Sequence, residues 1–503
     1  MHPCRESSAA VSGMAEHSLA RFVPSTSHRW DRAKAAHLLN RAGFGGRPEE
    51  VDHVLRLGPE AAVEELLNYD RIPEEFPPPD FSDVRALFEE VARLRAGRAP
   101  EAERRQAFQA ALRANVQKLQ ELRAWWLARM IQTRRPLQEK MVLFWHGFLV
   151  SGYPDARIAE FLYVQNELFR RMALGNFKAL VLAISRDPAM LQYLDNDSNR
   201  KGRPNENYAR ELLELFTMGI GHYTEQDVRE AARAFTGWTH RGYLPEFVFN
   251  PAWHDDGPKT FLGRTGNLDG TDIIDVIFEQ PATARRLPTR LFEYFGYLRP
   301  EEHLVEEMAD LFRRSAFEVR PLVRAILTSQ AFYSPRAMRT QVKSPAQLVV
   351  GTARLLEIEP ARAPQLLRAM DLMGQALFAP PNVGGWPQGE RWITTSTILQ
   401  RYNFSALVLT GGAPGIARRQ RDLPPVPAAV MRLVEGARTA SEVVDRLAGA
   451  LVGGLDAGRR AALVRALGAS DPQVPFDVGA PDSGMRLRSA LHLLMSSAEY
   501  QLA

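Results

Sequence analysis

A histidine and two aspartates stand together in the segment WHDDGPKTFLG, which also contains glycine and proline. His254 beside Asp255 can form a general base with its orienting carboxylate, or a pair of metal ligands. Because loops carry catalytic groups disproportionately, we interpret this segment as a candidate active-site loop. The alternative is a tight turn at Asp256-Gly257, which explains Asp256 but leaves His254 without a role.

A second histidine lies in the segment QEKMVLFWHGF. Glu139 and His146 are seven residues apart there, so they share one face of a helix. The run Met141–Trp145 between them is apolar, which predicts a buried helix. A histidine in such a helix is either a catalytic or metal-binding group or, more often, a hydrogen-bonded core residue. Both interpretations of His146 stay open at this point.

The most polar segment, LDNDSNRKGRPNE (194–206), places oxygen-bearing side chains at positions 1, 3, 5 and 12 of an EF-hand-type calcium loop. Arg200 stands where that loop needs glycine, and Lys201 and Arg203 add positive charge that repels a cation. The segment therefore favours a turn that leads into a helix with Glu206 in its first turn. A structural calcium site is the alternative.

The helix predicted after this segment carries a polar stripe. At 100° per residue, Glu206, Arg210 and Glu214 fall within one sector, and Glu211 lies nearer the apolar side. Such a stripe is usually solvated, but it can also face a site, in which Arg210 would bind or pair with an anion. For a cofactor the sequence indicates no more than a divalent metal, and the candidate ligands are His146, Glu206, Glu211, His222 and His254.

Two tryptophans lie in the segment PPNVGGWPQGERWITT (380–395), together with three glycines. Such a loop can form one wall of a ligand pocket, which makes Trp386 and Trp392 candidate cofactor-binding residues. The alternative is a surface loop that the two rings anchor to the protein. The sequence favours neither interpretation.

Composition and charge are those of a globular protein. The 503 residues are 45% hydrophobic and 24% charged, and 63 basic against 59 acidic residues give a net charge of +4. This near balance gives no reason to expect a nucleic-acid partner. The single cysteine, Cys4, excludes an intramolecular disulfide and a thiolate zinc cluster. The sequence also lacks the Walker, G-x-S-x-G and H-E-x-x-H motifs.

Helical periodicity dominates the chain and predicts a mainly α fold. We expect a large multi-helix domain over residues 28–420, a C-terminal helical subdomain over 428–503 packed on it, and a short β-hairpin or ordered loop near 246–263. Residues 1–27 lack the apolar core of a signal peptide and predict a disordered leader. No apolar run is long enough for a transmembrane helix. We therefore expect a cytoplasmic protein, or one exported only in complex with a partner.

Six motifs occur in a fixed order: LLNRAGFG, QEKMVLFWHGF, PNENYARELLELFTMGIGHYTEQDV, HDDGPKTFLG, VKSPAQLVVG and PPNVGGWP. Together they resemble the bacterial family called domain of unknown function 1800, over residues 28 to 503. The resemblance implies a mainly helical protein whose biochemistry is unsettled. The family pattern W-H-N-H-F corresponds to Trp145–Leu149, where Phe148 replaces the second histidine. A family site that needs both histidines is therefore called into question in this chain.

These observations lead to three hypotheses about function. The first is an enzyme with a metal or His/carboxylate site in a central pocket, with His254, Asp255, His146 and Arg210 as candidate catalytic residues. The second follows from the resemblance, because genes of this family often lie beside those of domain of unknown function 1501, whose members resemble alkaline phosphatases. It is a non-enzymatic partner or maturation factor for such an exported protein, with a large exposed apolar patch. The third is a structural calcium-binding protein.

Overall fold

The computed structural model describes residues 18–153, 155–411 and 425–503. Most of these residues are helical, and each of the two sheets has two strands. The predicted mainly α fold is therefore confirmed. Residues 1–17 of the predicted leader and residues 412–424, where the two predicted domains would join, lie outside the described residues. Within the described part of the chain, no helix is both long enough and apolar enough to cross a membrane.

The helices of the first half are short, apart from one of 32 residues. They are α1 Arg32–Ala42, α2 Pro48–Leu57, α3 Pro59–Leu67, α4 Ser82–Ala96, α5 Glu101–Gln132, α6 Pro136–Phe148, α7 Ala159–Arg171, α8 Phe177–Ser185, α9 Pro188–Tyr193, α10 Asn207–Glu211 and α11 Glu225–Ala234. Side-chain caps begin several of them. Asn176 accepts a hydrogen bond from the amide of Ala179, and Asp187 accepts one from Met190, so each cap satisfies an amide that the helix itself leaves free.

The helix that follows the polar segment changes type after α10. Residues Leu212–Thr217 form a π-helix, and the amide of Met218 donates to the carbonyl of Leu213 five residues earlier. This wider turn breaks the 100° spacing that placed Glu214 beside Glu206 and Arg210. The Glu214 carboxylate instead accepts a hydrogen bond from the Tyr223 hydroxyl at 3.4 Å. Among the described residues Glu214 therefore forms no ion pair with Arg210, which pairs with Glu206 and Glu225.

Two β-hairpins follow α11. Strands β1 Trp238–His240 and β2 Phe247–Phe249 pair antiparallel, as do β3 Lys259–Phe261 and β4 Arg264–Gly266. The hairpin predicted near 246–263 is therefore two hairpins. The segment that contains His254 and Asp255 connects one hairpin to the other.

Helices resume after the hairpins. Those of the main body are α12 Gly270–Glu279, α13 Thr283–Phe295, α14 Glu302–Arg314, α15 Val319–Thr328, α16 Pro345–Leu355, α17 Ala363–Leu372 and α18 Thr395–Thr410. The C-terminal helices are α19 Ala428–Val434, α20 Ala440–Leu451, α21 Ala457–Ala466, α22 Ser483–Met495 and α23 Ala498–Gln501. Short 3₁₀ turns lie at Tyr69–Arg71, Asn196–Ser198, Pro360–Arg362 and Gly389–Trp392.

Segments far apart in the sequence close the fold. The amide of Phe22 donates to the carbonyl of Thr328 at 2.8 Å, so the described end of the predicted leader contacts the helical body. The amide of Lys343 donates to the carbonyl of Gln501, also at 2.8 Å, which joins the C-terminal helices to the same body. The apolar faces of all these helices form one continuous core.

Candidate functional site

A cleft opens between α6, α13 and the loop that carries Trp386 and Trp392. Its volume is about 60 Å³, which is room for about four to six water molecules at ~10–15 Å³ each. Both tryptophans lie on its wall, and their binding of a cofactor stays a prediction. The residues that line it are Lys140, Leu143, Phe144, Gly147, Phe148, Arg290, Tyr294, Gln341, Val342, Ser344, Gln347, Gln375, Trp386, Pro387, Gln388, Gly389 and Trp392.

The tryptophan loop reaches the cleft through a close approach of two glycines. Gly385 has a φ of +85°, and a Cβ atom at this position would overlap the carbonyl oxygen of Gly147. Gly147 lies in the last turn of α6, where a Cβ would lie 3.4 Å from the Trp386 ring. Only glycine combines this backbone conformation with this approach, so the pair fixes Trp386 against α6.

Lys140 is a buried cation on the wall of the cleft. Its side chain is 3% exposed, and its ammonium group lies 5.4 Å from the ring centre of Phe44 and 5.2 Å from that of Tyr294. Among the described residues, no carboxylate pairs with Nζ and no acceptor forms a hydrogen bond with it. Burial, together with the positive charge of Arg41, holds the pKa of Lys140 well below its usual range.

Arg41 is a second buried cation close to Lys140. Its Nε donates to the carbonyl of Phe295 at 2.7 Å, and its Nη2 donates to the carbonyl of Gly296. These carbonyls lie at the C-terminal end of α13, where the helix dipole favours positive charge. Its Nη1 is buried and has no partner among the described residues. Burial lowers the pKa of Arg41 to about 9.

The polar groups around the cleft are mainly amides. Arg290 pairs with Glu293 at 3.1 Å, and its Nη1 also lies 3.3 Å from Oε1 of Gln388. Gln347 uses Nε2 to donate to a backbone carbonyl, and Gln375 uses Oε1 to accept from a backbone amide. The other amide atom of each has no hydrogen bond within the described residues. The cleft therefore combines an unpaired cation, aromatic faces and free amide groups.

His146 does not line this cleft. Its ring packs against Trp126, Phe169 and Phe378 at centroid distances of 4.7 to 5.2 Å, and Nε2 lies 3.0 Å from Nδ2 of Asn166. Burial, with a contribution from a nearby arginine, lowers the pKa of His146 to about 3, so its imidazole is neutral. The predicted burial of this helix is confirmed. The family pattern has histidines at two positions. In this chain His146 occupies the first and lies in the core, and Phe148 occupies the second and lines the cleft.

His254 and Asp255 have different partners. The Nδ1 atom of His254 lies 2.8 Å from the carbonyl oxygen of Thr236, whereas the carboxylate of Asp255 pairs with Arg233 at 2.8 Å. The hydrogen bonds from Arg233 hold the pKa of Asp255 below its usual range. The buried Lys259 donates to the carbonyl of Asp255 at 2.6 Å. The carboxylate therefore does not orient the histidine, and the pair predicted as base and orienter is not formed in this structure.

The polar segment 194–206 is held together by its amide side chains. Nδ2 of the buried Asn199 donates to the carbonyl of Ala232 at 2.8 Å, and its Oδ1 accepts from the amide of Asn205 at 2.9 Å. Lys201 forms an ion pair with Asp256. Asn199, which the EF-hand spacing marked as a ligand, thus connects this turn to α11, whereas Lys201 connects it to the segment between the hairpins. These contacts agree with the turn interpretation of the sequence.

The remaining predicted residues lie near the protein surface. Arg210 pairs with Glu206 at 3.0 Å and with Glu225 at 2.8 Å. Glu211 is half-buried, and burial together with the charge of Glu214 raises its pKa. His222 is exposed.

Across the described ranges, no three His, Cys, Asp or Glu side chains come close enough together to hold a metal ion. The five candidate ligands predicted from the sequence therefore do not form one metal centre. His146 lies in the core, His254 contacts Thr236, and Glu206 pairs with Arg210, so three of the five have different surroundings.

The sequence interpretation missed Lys140 and Arg41. Lys140 lies inside the segment QEKMVLFWHGF, directly beside Glu139. A lysine in a helix predicted to be buried was the available signal, because lysine is almost never fully buried without a partner. Arg41 gave no such signal, since its partners lie at the end of α13, more than 250 residues along the chain.

The chain belongs to the family described as protein of unknown function DUF1800, whose sequence profile matches residues 37–502. The family resemblance of the six ordered motifs is thereby confirmed. No curated protein sequence matches the chain. No solved structure matches it either.

Proposed function

We propose that the cleft between α6, α13 and the Trp386–Trp392 loop binds a small organic molecule with a carboxylate group, and that Lys140 is its counter-ion. The observation that supports this most directly is the ammonium group of Lys140, which is buried and has no anionic partner among the described residues. An uncompensated buried charge is strongly unfavourable, and a bound carboxylate would neutralise it. The nearby charge of Arg41 adds to the attraction for an anion.

The rest of the cleft suits the organic part of such a ligand. Trp386, Trp392 and Phe144 offer aromatic faces, as ligand pockets commonly do. The free Oε1 of Gln347 and the free Nε2 of Gln375 can accept and donate a hydrogen bond to a hydroxyl or carbonyl group. The volume of about 60 Å³ limits the ligand to a molecule of about four to six heavy atoms.

If the protein is an enzyme, we propose that Lys140 is also its reactive residue. A buried lysine with a lowered pKa has a larger neutral fraction, and the neutral amine is the form that acts as a base or nucleophile. His146 is the less suitable base, because aromatic rings enclose it away from the cleft. We therefore place any reaction at Lys140 in the cleft without a bound carboxylate, where burial and Arg41 favour its neutral form. A bound carboxylate favours the charged form, in which Lys140 is the counter-ion.

Calorimetric titration tests this proposal. Wild type is titrated with sodium acetate, glycolate and pyruvate, with sodium chloride at the same ionic strength as the reference. We expect at least one carboxylate to bind, and Lys140→Met to raise its Kd at least tenfold. Lys178→Met is the matched control, because Lys178 is exposed and pairs with Asp275. The proposal fails if none of these salts binds at millimolar concentration, or if Lys140→Met binds as wild type does.

A second candidate function is supported by an exposed apolar patch. Ile398, Leu399 and Tyr402 of α18 and Leu493 of α22 are 48–55% exposed, and the ring of Tyr402 lies 4.6 Å from that of His492, beside Leu493. Contiguous exposed apolar side chains mark interaction surfaces. We propose that this patch docks a protein of the domain of unknown function 1501 family, the partner that the family resemblance implies.

Co-expression of the two proteins tests this second proposal. The partner from the same bacterium is tagged and purified, and the amount of this chain that co-purifies is measured. We expect the double variant Ile398→Ser, Leu399→Ser to lose most of the complex. Ile220→Ser is the control, since Ile220 is 78% exposed and lies away from the patch. Equal recovery of the double variant and wild type would rule out this patch.

A further inference from the structure

A second cavity lies between α1, α16 and the C-terminal end of α20. Its volume is about 150 Å³, which is space for about ten to fifteen water molecules at ~10–15 Å³ each. It is separate from the tryptophan cleft, although Gln347 lines both. A smaller cavity of about 30 Å³ adjoins it and shares Arg339 and Lys343 with it. Side chains of the main body and of the C-terminal helices together enclose this space.

Arg339 and Lys343 supply positive charge on the shared wall. Within the described residues, Arg339 has neither an ion pair nor a side-chain hydrogen bond. The ammonium group of Lys343 donates to the carbonyl of Tyr500 at 2.8 Å and lies 4.5 Å from the ring centre of the same residue. The charged neighbours of Lys343 are Arg339 and Arg401, both cationic. Neither Arg339 nor Lys343 therefore has a carboxylate partner in the described part of the chain.

Other charged groups around the two cavities do not balance this charge. Glu499, which lines the smaller cavity, pairs with Arg459, and Arg32 of the larger cavity pairs with Asp52. The buried His37, also on the wall of the smaller cavity, has no partner for its Nδ1 atom among the described residues. Ala503, with its terminal carboxylate, also lines the smaller cavity, and the two cations Arg339 and Lys343 still exceed this one anion. His37 adds no positive charge, because burial lowers its pKa to about 3.

Arg339 is an exposed residue, and its guanidinium group lies in space that Gly453 leaves open. Arg339 has a φ of +57°, a conformation that few non-glycine residues adopt. Gly453, after the end of α20, has a φ of +72°, and a Cβ atom there would overlap Nη2 of Arg339. The absence of a side chain at Gly453 is what allows this position of Arg339.

We propose that this cavity binds the phosphate group of a small phosphorylated molecule, held by Arg339 and Lys343. The forked guanidinium matches two phosphate oxygens, and the ammonium group adds a second charge for a dianion. The volume exceeds what a bare phosphate needs and leaves room for an organic part. This inference is independent of the proposed carboxylate site, because it depends on different cations.

Calorimetric titration with glycerol phosphate tests the inference, with glycerol and sodium chloride as references. We expect Arg339→Gln and Lys343→Met each to raise the Kd for glycerol phosphate at least tenfold. Arg314→Gln is the matched control, because Arg314 is exposed and forms no ion pair within the described ranges. Its Kd should stay within twofold of wild type. Binding by Arg339→Gln and Lys343→Met with the wild-type Kd would overturn the proposal.

Two further measurements keep the test informative if Arg339→Gln fails to fold. Gly453→Ala retains both charges but displaces the guanidinium, so the Kd should rise at least fivefold while circular dichroism stays unchanged. An unchanged Kd for a folded Gly453→Ala would contradict the role of Arg339. Inorganic phosphate is titrated in parallel. Binding of inorganic phosphate as tight as that of glycerol phosphate would overturn the assignment to a phosphorylated molecule.

Discussion

The carboxylate of Glu139 accepts two hydrogen bonds from the guanidinium of Arg170, at 2.5 Å to Oε1 and 3.0 Å to Oε2. Arg129 donates to the same Oε1 at 2.8 Å, and the indole of Trp126 donates to Oε2 at 3.2 Å. The carboxylate has no exposed surface. The Glu139 carboxylate and two guanidinium groups thus form a buried, hydrogen-bonded group in the core, and Glu74 and Glu167 pair with the same two arginines. Lys140 of the cleft is the next residue after Glu139.

Replacement of Glu139 by glutamine should strongly destabilise the fold. Glu139→Gln removes the carboxylate that Arg129 and Arg170 share, and breaking a buried pair in this way costs about 3–5 kcal/mol. Arg129 keeps only its 3.6 Å contact with Glu74, and Arg170 keeps its pair with Glu167. Urea unfolding at pH 7 measures the loss. Glu101→Gln is the control, because Glu101 forms an exposed pair with Arg105, and it should change the free energy of unfolding by less than about 0.5 kcal/mol. A loss no larger than that of the control would contradict the role of this network.

The same carboxylate gives a pH dependence with a defined sign. Burial by itself raises the pKa of Glu139, but Arg170 and Arg129 outweigh burial and hold it below its usual range. The contribution of this carboxylate to the free energy of unfolding is therefore complete above its pKa in the unfolded chain, near 4.5. It is lost as the pH falls through the lower pKa that Glu139 has in the folded protein. We expect the stability difference between wild type and Glu139→Gln to shrink below pH 4.5. A difference that stays constant down to pH 3 would contradict this.

Asp187 should give a pH dependence of stability with the opposite sign. Burial raises its pKa to about 7, so between pH 3.8 and about 7 the folded protein binds a proton that the unfolded chain has released. Stability therefore falls as the pH rises through this window. Asp187→Asn keeps the acceptor for Gln165 at 2.8 Å and for the Met190 amide at 3.1 Å. The variant should be more stable than wild type at pH 8, by about 1–4 kcal/mol at ~1.4 kcal/mol per pKa unit.

Urea unfolding at pH 4 and pH 8 checks the Asp187 prediction. The gain should be largest at pH 8 and nearly absent at pH 4, where the wild-type side chain is neutral in the folded protein. A gain of equal size at both pH values would point to a cause other than ionisation.

Gly385→Ala should destabilise the tryptophan loop. The new methyl group combines the strain of a positive φ, of about 1–3 kcal/mol, with an overlap on the Gly147 carbonyl. Gly58→Ala is a matched control, because Gly58 has a φ of +82° and open space where its Cβ would lie. Gly385→Ala should therefore lose more stability than Gly58→Ala and quench or shift the fluorescence of Trp386. Equal losses would show that the close approach contributes nothing.

Lys140→Met should stabilise the unliganded protein while it removes the proposed ligand site. The variant deletes a buried ammonium group without a partner, and we expect a gain of about 2 kcal/mol or more at pH 7. Because the folded pKa of Lys140 lies well below the unfolded value of 10.5, wild-type stability rises with pH between the two values. Unfolding measured from pH 7 to 10 should show the gain shrinking. A variant less stable than wild type at pH 7 would mean that Lys140 has a partner in the folded protein.

Local patterns in the sequence predicted what depends on neighbours along the chain. The apolar spacing of α6 predicted its burial around His146, and the glycines near Trp386 predicted a loop. The π-helix at Leu212–Thr217 was not predicted, because the spacing of apolar residues does not reveal a change in the spacing of backbone hydrogen bonds.

The parts of the site that depend on distant segments could not be predicted. Arg41 contacts the carbonyl of Phe295, and Arg339 lies against Gly453, and neither contact has a signal in its own segment. Two residues that are adjacent in the sequence also need not act on each other in the fold. His254 and Asp255 are neighbours, but each turns to a different partner on the segment that ends α11.

The hydrogen bond between Phe22 and Thr328 spans about 300 residues of chain, so it also sets an order of events during synthesis. A ribosome that adds about 5–20 residues per second needs about 15–60 s to make that stretch. The apolar side chains of Leu19 and Phe22 pack on the core, and the contact of Phe22 with Tyr333 forms only after the later helix has emerged. Residues 19–22 therefore leave the ribosome well before the helix that fixes them in place, and during that interval they are open to chaperones.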